Sequence, residues 1–463
     1  MGAEQIDTEF YVYLLLWLAV PVLLFMVHSR GGRPTGFVVY SYLIGFIALH
    51  WFGAMGRASP WSPYADSTLT VIGFRLATYA LIAFTAGTFL AFTTRRPRRP
   101  VGQAMAPGRA AATLADLQMT GRTFLLLGGL CWLLSLTPVA QLPSASAILS
   151  AGRQCVLLGV CFLCWNAWLR HDRRRFVLWL GASVAFPLVT IATQGFIGYG
   201  ISMMTIVLAF VAMFYRPRWV LLAGLVVMLY GGLTLWVNYA ASRNEVRQAV
   251  WGGQGFEATL GVLANVGREI EPFDIANVAH LEAVDGRLNQ NYLVGAAVVV
   301  TPNLVPYRGG ETIWAAAASV IPRVLWPNKP ATGGSRTYVS EHTLITFAAG
   351  TSIGMGQVLE FYINFGIPGV VGGFLLLGMA LRYMDIRIAA AMQENDLNTV
   401  AFFFLVGSGA LVVGGSLTEM TGSMAAGAVM GMSIPAFMRW RRERARSHRS
   451  AGHPDARRGR WHP

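Results

Sequence analysis

Apolar stretches close to the length of a bilayer-spanning helix, about 20 residues, recur along the whole chain. Eight are clear, at residues 10–27, 36–55, 68–92, 123–139, 195–215, 219–237, 363–381 and 399–417. Three are shorter or weaker, at residues 155–169, 176–193 and 424–438. This pattern predicts an all-α polytopic membrane protein with about 11 transmembrane helices.

The composition agrees with a membrane location. Of the 463 residues, 54% are hydrophobic and only 13% are charged, which excludes soluble enzymes, disordered regulators and nucleic-acid readers. The net charge of +14 is interpreted as a consequence of topology rather than of nucleic-acid binding. The cysteines lie in apolar stretches and are predicted to be packing residues; they are Cys131, Cys155, Cys161 and Cys164.

Arginine and lysine mark the cytoplasmic loops of membrane proteins. With the N-terminus outside, the alternation of spans places 25 of the 36 basic residues in the cytoplasm and 15 of the 22 acidic residues outside. The first ten residues are acidic, unlike the start of a cleaved signal peptide. We therefore expect a multi-pass protein of a bacterial inner (plasma) membrane, with the C-terminus in the cytoplasm.

This topology divides the chain into four parts. Residues 1–237 form an N-terminal bundle of about eight helices, residues 238–362 a large periplasmic or extracytoplasmic loop, residues 363–438 about three further helices, and residues 439–463 a basic cytoplasmic tail. Within the loop, residues 293–300 and 312–326 are apolar but too short to span, so they are predicted to be interfacial or re-entrant helices.

Familiar catalytic motifs are missing in any suitable context, including P-loops, dinucleotide fingerprints and zinc or serine hydrolase motifs. The predicted spans contain few ionisable residues, with Arg75 and His50 as the exceptions, both toward the outer end. Ion-coupled transporters usually carry such residues near the midplane. The outer loop is therefore the better place to look for chemistry.

The densest part of that loop is the stretch 321–330, Ile-Pro-Arg-Val-Leu-Trp-Pro-Asn-Lys-Pro. Its three prolines restrict the backbone, and it presents Arg323 and the only lysine, Lys329, beside Trp326. Such an arrangement suits the binding of a phosphate or diphosphate. The alternative is a helix end with Arg323 complementing the dipole and an interfacial tryptophan.

Other polar candidates flank this stretch. Residues 285–292 include Arg287 and Tyr292 and could hold sugar hydroxyls or form an ordinary capped turn. Glu360 and Asn364 share one helical face at the start of a late span, so Glu360 could serve as a base or cap a helix. Further candidates are Glu341 and His342 in the loop and Glu419 in a turn between the last two spans. Taken one at a time, each of them favours a structural role over a catalytic one. Together they supply cations and carboxylates on one face of the membrane.

These residues resemble those of the bacterial O-antigen polymerases, or oligosaccharide repeat unit polymerases, within the broader polymerase and ligase group. Residues 321–330 are similar to that family's Ile-Pro-Arg, Trp-Pro and Lys-Pro stretch, and residues 360–369 to its acidic Asn-Phe-Gly segment before a late helix. The resemblance implies a multi-helix membrane glycosyltransferase fold of the GT-C-like type. It also implies a metal-independent enzyme without cofactors.

The reaction implied is transfer of a growing glycan from undecaprenyl diphosphate to a sugar hydroxyl of a second lipid-linked unit, in O-antigen, capsule or exopolysaccharide synthesis. Glu360, Arg323 and His342 would be catalytic. The resemblance further implies two binding sets: Arg323, Lys329, Arg287 and Arg336 for the diphosphate, and Tyr292, Trp326, Tyr338 and Asn364 for sugars. Expected partners are lipid-linked oligosaccharides, membrane lipids, a chain-length regulator and a flippase. The alternatives are a ligase, an exporter of lipid-linked sugar or a scaffold.

Overall fold

Long apolar sequences form helices in a bilayer because every backbone polar group must be bonded within its own segment. In the computed structural model, the described residues are 3–29, 36–58, 67–91, 107–141, 145–215, 218–251, 261, 264, 268, 270–321, 326, 334–347 and 353–451. Helices and turns account for their secondary structure, and no strand occurs in these ranges. The predicted all-α class is confirmed.

The α-helices of these ranges vary in length, and those between residues 243 and 343 are all short. They are α1 (Ala3–His28), α2 (Val38–Ala58), α3 (Ser67–Leu90), α4 (Pro107–Ser135), α5 (Ala145–Leu169), α6 (Arg173–Ala182), α7 (Phe186–Gln194), α8 (Ile197–Val211), α9 (Arg218–Ala241), α10 (Arg243–Trp251), α11 (Val278–Leu288), α12 (Gln290–Val300), α13 (Glu311–Ser319), α14 (Ser335–Thr343), α15 (Gln357–Glu394), α16 (Leu397–Gly409) and α17 (Leu417–Ala451). Short 3₁₀ helices cover Pro138–Gln141 and Ser183–Ala185.

Eight helical stretches of the described residues are long and apolar enough to cross a membrane. They are Thr8–His28, Val38–Met55, Thr68–Leu90, Thr113–Ser135, Ile148–Leu169, Arg173–Gln194, Trp219–Ala241 and Gln357–Glu394. Two of the three weaker predicted spans, at residues 155–169 and 176–193, lie within this set. The third, at residues 424–438, lies within α17.

Two clear apolar stretches form shorter helices than their hydropathy suggested. Residues 195–215 contain α8, of 15 residues, and residues 399–417 contain α16, of 13 residues. Glycines at positions 407, 409, 414 and 415 interrupt the second stretch, and glycine is a poor helix former. The prediction of one continuous helix over residues 399–417 was wrong because hydropathy does not register this effect.

The two short helices predicted in the outer loop are present. The first, α12, starts at Gln290 rather than at residue 293, because the Asn289 side chain accepts a hydrogen bond from the Tyr292 backbone and caps it. The second, α13, ends at Ser319, well before residue 326. Its early end fits the proline at position 322, since residues before proline avoid helical geometry.

Helix α12 packs directly against the N-terminal half of α3. A Cβ atom on Gly73 would lie 1.9 Å from the Asn291 carbonyl oxygen, and one on Gly295 would lie 1.8 Å from the Leu69 carbonyl oxygen. Only glycine permits this backbone contact between the two helices. Residues 290–300 are therefore anchored in the helix bundle.

Hydrogen bonds tie α4 to its neighbours near both of its ends. At one end, the Asn166 amide donates to the Leu114 carbonyl at 2.7 Å. At the other, the Trp132 indole donates to Thr193 at 3.2 Å.

Candidate functional site

Four polar side chains are buried at the N-terminal ends of α12 and α15, and we call them the polar centre: Gln290, Gln357, Glu360 and Asn364. Gln290 is the first residue of α12, and the other three lie in the first turns of α15. Buried polar groups in a membrane bundle are costly and mark functional sites unless they only satisfy backbone groups. Their partners decide between these roles.

The two glutamines bond the non-helical backbone between α16 and α17. The Gln357 amide donates to the carbonyl oxygens of Val412 at 2.8 Å and Gly415 at 3.1 Å. The Gln290 amide donates to the Gly414 carbonyl at 3.3 Å. Irregular backbone is tolerated at membrane depth when protein groups satisfy it, so both glutamines have a structural role.

Glu360 is fully buried, and its two carboxylate oxygens differ in their surroundings. Oε2 accepts a hydrogen bond of 2.6 Å from the Leu417 backbone N–H, the first residue of α17. Oε1 receives none from the described residues. The Thr312 hydroxyl, which accepts from the Asn364 amide, lies next to the carboxylate. Glu360 thus caps a neighbouring helix with one oxygen and leaves the other available.

Asn364 joins the polar centre to the turn before α13. Its side-chain amide donates to the Thr312 hydroxyl and to the Glu360 carbonyl, both at 2.7 Å. Its side-chain oxygen accepts from the Gly310 backbone N–H at 3.0 Å. The predicted sharing of one helical face by Glu360 and Asn364 is confirmed, but Asn364 is occupied by this turn.

A kink in α15 explains why the turn docks there. Gly366 has φ 65° and ψ −151°, outside helical geometry, and Pro368 follows inside the helix. Proline has no N–H to bond the carbonyl four residues earlier, so the Asn364 carbonyl instead accepts from Gly309 at 3.2 Å. The Ile363 carbonyl likewise accepts from the Arg308 N–H at 2.8 Å. The sequence Asn-Phe-Gly-Ile-Pro therefore creates a docking point for the outer loop.

A charged group lies next to this turn, and we call it the Arg308 cluster: Arg308, Glu311, Tyr338, Glu341 and His342. The Arg308 guanidinium donates to His342 Nε2 at 3.0 Å, to Glu311 at 3.3 Å and to Glu341. Tyr338 donates to Glu311 at 2.9 Å, with the guanidinium 5.2 Å from its ring centre. Two carboxylates thus hold the one guanidinium.

His342 is buried and uses both ring nitrogens. Because Arg308 can only donate, His342 Nε2 must accept, which places the proton on Nδ1. Nδ1 then donates to the Thr301 hydroxyl at 2.8 Å. Desolvation and the adjacent Arg308 lower the pKa of His342, with smaller opposing effects of Glu341 and Glu311. In this arrangement His342 positions Arg308 and has no nitrogen left to act as a base.

The remaining predicted residues are more dispersed. Arg287 is exposed in the last turn of α11. Arg336 is exposed on α14 and donates to the Phe347 carbonyl at 3.0 Å. Tyr292 and Trp326 are half-buried. Arg323 and Lys329 lie outside the described residues.

Glu419 does not lie in an outer turn, as the sequence suggested, because α17 already begins at Leu417. Its carboxylate accepts from the Ser416 backbone at 3.2 Å, and the Ser416 hydroxyl accepts from the Glu419 backbone at 3.2 Å. This reciprocal pair is a capping box. The sequence signal, serine followed three residues later by glutamate, was present at positions 416 and 419.

Sequence reasoning did not single out Arg308, Glu311 or Gln357, and it included Gln290 only within the polar stretch 285–292. Arg308 was one basic residue among several in the loop. The two glutamines occur at the starts of helices, where polar residues are ordinary. Only their distant partners, over 50 residues away in sequence, distinguish them.

The described part of the chain contains no group of three or more histidine, cysteine or acidic side chains placed to hold a metal ion. One protein family, described as a domain of unknown function (DUF8712), matches residues 123–397, which is more than half of the chain. The chain belongs to this family. The DUF8712 region runs from within α4 to the first residue of α16, so it includes Glu360 and the Arg308 cluster. No curated protein and no solved structure matches the chain.

Proposed function

We propose that this protein is a metal-independent membrane glycosyltransferase that polymerises lipid-linked oligosaccharide repeat units at the outer face of a bacterial inner membrane. It transfers a growing glycan from undecaprenyl diphosphate to a sugar hydroxyl of another lipid-linked unit and needs no cofactor. The resemblance of residues 321–330 and 360–369 to repeat unit polymerases supports this proposal. So does the burial of a carboxylate centre at the outer end of an apolar bundle.

The observation that carries the proposal is the unpartnered Oε1 of Glu360. A buried acceptor without a donor is unfavourable by about 1–3 kcal/mol, more when charged, so it needs a compensating use. A sugar hydroxyl is a donor that completes this carboxylate, and Glu360 then orients the hydroxyl or accepts its proton. Because Glu360 is enclosed, we expect the turn at residues 308–312 to move when the acceptor binds.

The departing diphosphate requires cations. Arg336 and Arg287 are exposed on the outer loop, and we assign this task to them with Arg323 and Lys329. Arg308 is already neutralised by Glu311 and Glu341, so its role is to order the turn that carries Thr312. Tyr292 and Trp326 remain the candidates for stacking on sugar rings, whereas one face of Tyr338 is covered by Arg308.

The topology is part of the same proposal. The eight long helices together with α8, α16 and α17 make the 11 spans, with the N-terminus outside and the basic tail in the cytoplasm. The fold is then a GT-C-like arrangement in which the outer loop covers the catalytic end. A chain-length regulator and a flippase of the same pathway are the expected partners.

The test is a reaction of the purified protein in liposomes with a synthetic undecaprenyl diphosphate-linked repeat unit, with products separated by length. A ladder of products that each grow by one repeat unit supports the polymerase. A single transfer to a different acceptor, without a ladder, would instead identify a ligase. Movement of the lipid-linked unit across the bilayer without any glycan transfer would contradict the enzyme and identify an exporter.

A further inference from the structure

Helix α9 carries three polar residues four positions apart, Tyr230, Thr234 and Asn238. This spacing places them on one face of the helix. The residues belong to a stretch, Trp219–Ala241, that is long and apolar enough to cross a membrane. Polar side chains on one face of such a helix need partners.

Their partner is an extended segment of the outer loop that runs down α9. Asn238 exchanges two hydrogen bonds with the Glu271 backbone, at 2.8 and 3.0 Å. Thr234 accepts from the Phe273 N–H at 3.1 Å, and Tyr230 donates to the Phe273 carbonyl at 3.2 Å. The segment therefore runs from the level of Asn238 to that of Thr234, roughly 6 Å along the helix axis, where the Tyr230 hydroxyl also reaches Phe273.

An open-sided groove of about 520 Å³ lies between this segment and α9. Its walls are Val226, Leu229, Tyr230 and Leu233 on the helix and residues 272–275 on the segment. Asp274 supplies the one charged group of this lining, and the rest is largely apolar. The volume is in the range of roughly 300–1,000 Å³ that is typical of ligand sites.

The depth of the groove identifies the kind of occupant. Val226 lies seven residues from one end of the stretch Trp219–Ala241, and Leu233 lies eight from the other, so the groove is near mid-span. Hydrocarbon chains occupy that level of a bilayer. Side-chain hydrogen bonds already satisfy the backbone of residues 271 and 273, so the open apolar wall is what remains to be covered.

We propose that this groove, the lateral groove, holds the isoprenoid chain of a single-chain lipid, which is the carrier chain of the lipid-linked substrate; this identification rests on the proposed function. The lateral groove is a single groove, which suits one hydrocarbon chain better than the two acyl chains of a phospholipid. Asp274 disfavours a phosphate beside it, so the groove takes the chain and the diphosphate lies elsewhere. Helix α11, roughly 16 Å long, leads from this segment to Gln290 of the polar centre.

The probe is undecaprenyl phosphate with a photoreactive group in its isoprenoid chain, bound to the full chain in phosphatidylcholine nanodiscs. Cross-links are mapped by mass spectrometry. We expect them at residues 226–233 and 272–275, with displacement by unlabelled undecaprenyl phosphate and not by a diacyl phosphatidic acid. Equal displacement by both lipids, or cross-links spread over all lipid-facing helices, would overturn the proposal.

Leu233→Trp fills the groove, and Val227→Trp is its control, because Val227 is 72% exposed on the same helix and is not in the lining. The first is expected to lower cross-linking about tenfold and the second to leave it unchanged. Ile275→Ser, on the exposed segment, tests the same site without a bulky residue in α9, and we expect weaker cross-linking there too. Unchanged cross-linking in Leu233→Trp and Ile275→Ser would reject the site.

The probe carries no transferable glycan, so this result is independent of enzyme activity. Loss of the groove signal with an intact product ladder would reject the groove alone. A specific groove signal without any glycan transfer would reject the polymerase and keep the lipid site.

Discussion

Asp385 should be among the most important single residues for the stability of the bundle. It is fully buried in α15, and its carboxylate accepts hydrogen bonds from the backbone N–H groups of Phe37, Val38 and Val39 at 2.9, 2.9 and 3.0 Å. It thus caps the start of α2 from another helix, close to Gly36. Replacing it with alanine leaves three buried N–H groups without their acceptor.

The size of the effect follows from known ranges. Loss of one N-cap costs about 0.5–2 kcal/mol, and breaking a buried charged interaction costs about 3–5 kcal/mol. We therefore expect Asp385→Ala to lower the free energy of unfolding by about 3 kcal/mol, on the order of a hundredfold in the folding equilibrium constant. Asp385→Asn keeps one acceptor oxygen and should lose about half as much.

The assay is unfolding in mixed micelles with increasing SDS fraction. The matched control is Asp396→Ala, which removes the exposed cap of α16, where the side chain accepts from the Thr399 N–H at 3.2 Å. That change should cost about 1 kcal/mol. If Asp385→Ala destabilised the protein no more than Asp396→Ala, the reasoning about buried cross-helix capping would be refuted.

Three further outcomes are expected. Gly295→Ala should destabilise by about 1–3 kcal/mol through overpacking against α3, whereas Gly231→Ala, with open space around it, should not; equal melting temperatures would contradict the contact. Ser416→Ala should cost about 1 kcal/mol by removing the capping box of α17, measured in the same SDS titration. Because the pKa of His342 is lowered in the folded state, the Arg308 cluster is favoured above about pH 6.5, the unfolded value, and weakens as pH falls through the folded value. The protection factors of residues 301–311, which remove the intrinsic pH dependence of amide exchange, should fall with acidification in the native chain and not in His342→Gln, and pH-independent protection in the native chain would refute this.

The helical class and most long helices could be predicted because hydropathy over about 20 residues is a strong signal. The stretch 399–417 could not, because its glycines do not lower hydropathy enough to reveal the break after Gly409. The start of α15 was predicted only in part: the apolar stretch began at residue 363, and the helical face shared by Glu360 and Asn364 extended the helix to residue 360, whereas it begins at Gln357. Both misses fall where buried side chains bond irregular backbone.

The candidate site was predicted in part. Glu360 was singled out from its position at the start of a late span. In the structure its carboxylate is fully buried, and one of its oxygens has no hydrogen-bond donor among the described residues. The roles of its neighbours could not be read from the sequence, because Gln290 and Gln357 depend on partners at residues 412–415. His342 was expected as a possible base, yet Arg308 and Thr301 occupy both of its nitrogens, a pairing of residues 34 and 41 positions away.

The most direct test of the central claim is the rate of glycan transfer by Glu360→Gln compared with Glu394→Gln. Glutamine keeps an oxygen that can accept from the Leu417 N–H, so the cap of α17 is retained while the carboxylate is removed. Glu394 is an exposed glutamate at the far end of the same helix. The proposal predicts at least a hundredfold loss for Glu360→Gln, native-like unfolding, and full activity for Glu394→Gln. Native rates in a folded Glu360→Gln protein would contradict it.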